Sequence, residues 1–93
     1  MQQEKYAIAS FRSRSQVMKF AQAVKNAGVA AEIIPTPHKV ALGCGLSLKF
    51  DIRDLEIVRS MQYQNRVQAF DGIYIIEQVG GKVRVIGSKS DFV

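Results

Sequence analysis

Two periods of apolar residues run along this chain. Residues 6–11 (Tyr-Ala-Ile-Ala-Ser-Phe) form a short, bounded apolar run that predicts a first strand. Over residues 12–28 the period changes. Val17, Phe20, Ala21 and Val24 fall at i, i+3, i+4 and i+7, which is one face of a helix. Ser13 and Gln16 have the spacing of a capping box, in which each side chain accepts from the other residue's orphan backbone N–H. Gly28 can close the helix because it enters the left-handed region without a Cβ clash. Residues 30–34 read as a second strand. Pro35 and Pro37 are expected to stop it, since neither donates a ladder hydrogen bond. Residues 35–45 then form a loop. Residues 46–50 alternate, with Leu46, Leu48 and Phe50 on one face and Ser47 and Lys49 on the other.

Asp51 is placed to N-cap a second helix over residues 51–64, with Ile52, Leu55, Val58 and Met61 as its apolar stripe. Asp51 and Asp54 lie in its first turn, where the helix dipole favours negative charge. A fourth strand spans 72–79. Gly80-Gly81 is a tight-hairpin signal leading to a fifth strand over 82–87, and residues 88–93 read as a frayed end. The order β-α-β-β-α-β plus a hairpin strand predicts an α+β fold of the ferredoxin-like, split βαβ type. Its antiparallel sheet would carry two helices on one face. The other face would be partly open, inviting a ligand or a second copy of the chain as a homo-oligomer. Tyr74, Ile76, Arg84 and Ile86 would mix apolar and basic character on one surface of the hairpin.

The length, 93 residues, suits one domain over 1–93, with a core at 6–77 and a hairpin strand and tail at 78–93. The net charge of +5 permits an acidic partner or nucleic acid, but the 13 Lys and Arg are spread along the chain, as on a solvated surface. One cysteine and one histidine exclude an intramolecular disulfide and a Cys/His zinc site, so no metal or cofactor is expected. A reduced, cytoplasmic setting follows as the default. The first ten residues show no signal-peptide pattern, and no run approaches the ~20 apolar residues of a membrane helix.

The distinctive chemical group is Cys44, between Gly43 and Gly45. Flanking glycines free the backbone, and successive N–H groups in such a turn form an anion-binding nest. A thiolate is an anion. His38 and Lys39, six and five residues upstream, add positive field if the loop folds back. Both effects lower a thiol pKa. The plain alternative is that a lone cysteine is a small buried hydrophobe. Cys44 and His38 also make the one Cys/His dyad available, but the chain offers no obvious orienting group for hydrolysis, and an enzyme is not expected.

Ile34-Pro35-Thr36-Pro37, followed by Cys44-Gly45-Leu46-Ser47-Leu48-Lys49-Phe50, resembles a family of small bacterial domains described as selenium/sulfur carriers. The first strand and helix, and Gly72-Ile73-Tyr74, are similar to it as well, so the resemblance covers roughly residues 6–77. It implies that Cys44 holds sulfur or selenium as a persulfide or selenosulfide, taken from a desulfurase-type donor enzyme and passed to an acceptor protein. Gly43, Gly45, Leu46, His38 and Lys39 would support the anion. The chain departs from the family pattern at His38, where an arginine is usual, and at Ala41-Leu42-Gly43, where small polar residues are.

Two other classes compete. An RNA-recognition domain of this topology needs aromatic residues projecting from its central strands, and Leu46–Phe50 lacks that pattern; Tyr6 and Phe50 read as packing residues. A regulatory or assembly module with a structural cysteine is the remaining alternative.

Overall fold

The computed structural model describes residues 3–37, 40, 45–65 and 70–89. The described elements run β1 (Gln3–Phe11), α1 (Arg14–Asn26), β2 (Ala31–Pro35), β3 (Leu46–Phe50), a 3-10 turn (Ile52–Asp54), α2 (Leu55–Asn65), β4 (Phe70–Val79) and β5 (Lys82–Lys89). The fold is α+β. Its sheet has the order β2-β3-β1-β4-β5, with every neighbouring pair antiparallel. β3 therefore sits between β1 and β2, the two strands that α1 connects.

One face of the sheet is a packed core. Ala7, Ala9 and Phe11 of β1, Leu48 and Phe50 of β3 and Ile73 of β4 meet Val17, Phe20, Ala21 and Val24 of α1 and Val58 of α2. Ile52, Leu55 and Met61 pack against this cluster, which completes the expected stripe of the second helix. The Phe11 ring lies 5.5 Å from that of Phe20 and 5.4 Å from that of Phe70. Such aromatic pairs add about 0.5–1.5 kcal/mol beyond the area they bury.

Helix α1 ends in a Schellman motif. The Gly28 N–H donates to the Lys25 carbonyl and the Val29 N–H to the Val24 carbonyl, both at 3.0 Å, with Gly28 at φ +93°. Val24 and Val29 are both buried in the core, the apolar contact that accompanies this motif. Its N-terminus differs from the expected capping box. Ser13 is the N-cap, yet its side chain makes no cap hydrogen bond; its hydroxyl lies 3.0 Å from that of Ser15. A second hydroxyl two residues on captures the group that would have reached the helix backbone. Asp51 does cap, accepting from the Arg53 N–H at 2.9 Å, though the chain enters α2 through the 3-10 turn.

Strand boundaries shift, and β5 runs to Lys89, two residues past its expected end. β1 begins at Gln3 because Gln3, Glu4 and Lys5 pair with Val79, Gln78 and Glu77 of β4, so a long partner carries polar residues into the ladder. β4 begins at Phe70, beyond a bulge where Phe11 faces Phe70 and Ser10 faces Gly72. Pro35 ends β2 from inside, opposite Leu46, which an edge strand tolerates. The Gly80-Gly81 hairpin has both residues at positive φ, +56° and +85°, joining Val79 and Lys82 by a two-residue turn.

The second face of the sheet is less open than expected. Tyr6, Ile8 and Ile76 are buried there with Val40, and Ile34, Tyr74 and Val83 pack around them. Val40 belongs to the β2–β3 loop, so a loop side chain packs on this face of the sheet. Ser47, on the opposite face from Leu48 and Phe50 as expected, is fully buried there. The expected hairpin surface is divided as well. Register places Arg84 across from Glu77 on the helix side, whereas Tyr74 and Ile76 belong to the opposite face. Arg84 Nη2 bonds Glu77 Oε1 at 2.6 Å.

Candidate functional site at the mouth of the β2–β3 loop

The loop between β2 and β3 is closed at its neck. The Thr36 N–H donates to the Gly45 carbonyl at 2.8 Å, one step beyond the Pro35–Leu46 pair. Thr36 Oγ1 and Ser47 Oγ lie 2.6 Å apart, partly buried, giving the neck a side-chain bond beside its backbone bond. Midway round the loop the Val40 N–H donates to the Pro37 carbonyl at 3.0 Å, and the Val40 side chain is buried against the sheet. Neck and anchor together fix where the loop leaves and rejoins the sheet.

Of the residues singled out from the sequence, Gly45 and Leu46 are described. Gly45 has φ +92°, in the left-handed region, and a Cβ built there meets nothing within 4 Å. The glycine is thus required by backbone conformation rather than by crowding. Leu46 opens β3 and is half-buried. Cys44, Gly43, His38 and Lys39 lie outside the described residues. In the sequence Cys44 directly precedes Gly45.

Three hydroxyl residues border that neck, and the sequence reading missed all of them. Thr36 sits between two prolines and reads as loop. Ser47 reads as the polar half of an alternation. Ser10 reads as a strand residue of no special character. Ser10 and Ser47 are both fully buried and directly opposite each other on β1 and β3. On its other side Ser10 faces Gly72 of β4. Arg12 Nε and Asp71 Oδ1 form an ion pair at 3.1 Å at this same end of the sheet. Burial pushes the Tyr74 phenol above its ordinary pKa, and the nearby Asp71 charge adds to the rise.

A separate cavity of about 310 Å³ lies at the other end of β3, lined by Glu4, Tyr6, Glu32, Lys49 and Asp51 among others. It is roughly 15 Å along the strand from Gly45. Lys49 is engaged there, 3.2 Å from Glu4 Oε2 and 4.4 Å from the centre of the Tyr6 ring. Burial raises the Tyr6 pKa; Lys49 opposes the rise and Glu4 reinforces it. Tyr6 itself is 7% exposed, which removes it as a stacking platform for bases. Among the described residues no three His, Cys, Asp or Glu side chains converge on a metal-sized site. No helix among the described residues is long and apolar enough to cross a membrane.

The family model described as "Putative Se/S carrier protein-like" matches residues 5–75, from β1 into β4 and across the whole β2–β3 loop. The chain belongs to this family. β5 lies beyond the matched region. No curated protein and no solved structure matches the chain.

Proposed function

We propose that this protein carries sulfur or selenium on Cys44, as a persulfide or selenosulfide. The observation that carries the reading is the family match, which runs through the loop and includes the cysteine. The loop's geometry supports it. The residue after the cysteine is a glycine in a conformation that side chains disfavour, and the neck is held by two bonds from Thr36.

In the transfer, the Cys44 thiolate attacks the terminal sulfur of a persulfide on a donor enzyme of the desulfurase class. A bond forms between Cys44 Sγ and that sulfur. The donor's S–S bond breaks, and the donor leaves as a thiolate. Delivery repeats the exchange, with an acceptor thiolate attacking the terminal atom and Cys44 leaving. Neither step needs an outside oxidant or a metal. A reducing, cytoplasmic setting suits a thiol that must be regenerated after each delivery. Gly43, His38 and Lys39 would add donors and positive field around the anion. We read the scaffold as one ferredoxin-like domain with β5 added beyond β4.

Incubating the protein with a small-molecule persulfide donor and measuring intact mass tests the reading. Wild type gains about 32 Da per sulfur, and Cys44→Ser gains nothing. Equal uptake by both proteins, or by neither, would sink it.

A further inference from the structure

β5 is an end of the sheet. In the order β2-β3-β1-β4-β5 it pairs with β4 alone among the described residues, which leaves its other edge unpaired. The hairpin decides which backbone groups point outward. The Gly80-Gly81 turn closes on the pair Val79–Lys82, and residues that close a two-residue turn exchange both backbone bonds. Bonded and non-bonded pairs then alternate along the antiparallel ladder. Arg84 therefore bonds Glu77 through the backbone, while the N–H and C=O groups of Val83 and Val85 face away from β4. Past Val85 the register shifts, and Ile86 has no register partner on β4.

The side chains along this edge have a definite chemistry. Val83 and Val85 lie on the Ile76 side of the sheet, and Val85 is 38% exposed. Lys82 and Arg84 lie on the other side, both exposed, and with Glu77 and Val79 they line a cavity of about 300 Å³. Arg84 meets Glu77 Oε1 through Nε and Nη2, so its Nη1 donors remain for another acceptor. Lys82 has no ion-pair partner among the described residues. β5 contains no acidic residue. Two copies of it laid side by side would set one basic strand against another, and like charges across a pair are destabilising. Lysine and a bulge on an edge strand also oppose self-pairing. A strand of opposite charge meets no such penalty.

We infer that the outer edge of β5 binds an extended, acidic segment of a partner protein, which joins the sheet as a further strand. The outward backbone groups of Val83 and Val85 supply its main-chain hydrogen bonds. Carboxylates of the segment lie beside Lys82 and Arg84 on one side of the sheet, and apolar residues beside Val83 and Val85 on the other. The segment that fits therefore alternates acidic and apolar residues. β5 lies beyond residues 5–75, the region the family model matches, so this edge belongs to the chain's extension of the family domain. The inference is independent of Cys44 and of the carrier role.

The test uses the full chain and a fluorescent peptide of alternating glutamate and valine, with a peptide of alternating lysine and valine as control. Anisotropy should show saturable binding of the acidic peptide, weakening as salt rises, and none of the basic one. With the acidic peptide at about ten times its dissociation constant, amide exchange at Val83 and Val85 should slow roughly tenfold. Lys82→Glu, at an exposed position, should weaken binding about fivefold and leave the melting temperature unchanged. Val85→Pro removes an outward N–H and spares the bonds to β4, so it should fold and lose binding. Absence of saturable binding up to about 1 mM acidic peptide would overturn the inference. So would equal binding of the two peptides, unchanged affinity in Lys82→Glu, or slowed exchange that leaves out Val83 and Val85. Protection of those two amides by a second copy, seen as a dimer in ultracentrifugation, or by a single-stranded RNA oligonucleotide in place of the peptide, would overturn it as well.

Discussion

Thr36 Oγ1 and Ser47 Oγ stand 2.6 Å apart, tying the residue after β2 to the second residue of β3 across the mouth of the cysteine loop. Ser47 is wholly buried, so breaking the pair from one side leaves a hydroxyl that water cannot reach. Thr36→Val should therefore cost about 1–2 kcal/mol in chemical unfolding. Thr36→Val combined with Ser47→Ala should cost less than the sum of the single changes, because the second removes the stranded group. Simple additivity would show that the two hydroxyls are not coupled.

The loop is pinned by one apolar side chain. Val40 is buried with Tyr6, Ile8 and Ile76. Val40→Asp places a carboxylate in that cluster, and the loop can escape the penalty by lifting off the sheet while the helix-side core stays intact. Limited proteolysis should then cut between residues 36 and 45 several times faster than in wild type, under conditions where circular dichroism still reports a folded protein. Unchanged cleavage would mean that Val40 does not hold the loop.

Gly28 isolates a backbone effect. Its φ is +93°, and an added Cβ would meet nothing within 4 Å. Gly28→Ala should destabilise by about 1 kcal/mol through conformation alone. Equilibrium denaturation should show a lower midpoint with an unchanged slope.

Alkaline pH should weaken the fold through two tyrosines. Burial raises the pKa of Tyr6 and of Tyr74 above the ordinary value of 10.0. The unfolded chain then loses these protons more readily than the folded one. Stability from this source is complete below about pH 10 and is lost as pH climbs through the raised values. In urea titrations, Tyr6→Phe and Tyr74→Phe together should flatten the decline in stability above pH 10. An equally steep decline in the double variant would assign it to other groups.

Much of the architecture was legible because separate local signals agreed. The 3.6-residue period of Val17, Phe20, Ala21 and Val24, Gly28 beyond it, the alternation from Leu46 to Phe50 and the Gly80-Gly81 turn each carry their own physical cause. Boundaries failed where a partner strand decided them. Gln3 to Lys5 are polar and enter the ladder because β4 is long enough to pair with them. The capping box failed because Ser15 offered Ser13 a competing hydroxyl. The covered second face was not legible, since Val40 is a lone apolar residue in a loop and period analysis sees only repeated ones. Around the candidate site the sequence singled out Cys44 and its glycines. It passed over Thr36, Ser47 and Ser10, because a buried hydroxyl and an exposed one look alike until the sheet register sets two serines opposite each other.

The central claim is that Cys44 carries a transferable chalcogen, and intact mass after exposure to a persulfide donor tests it most directly. A wild-type adduct of about 32 Da that a thiol acceptor removes, and that Cys44→Ser never forms, is the predicted result. A wild-type protein that stays at its unmodified mass, or a Cys44→Ser protein that gains the same adduct, would contradict the account.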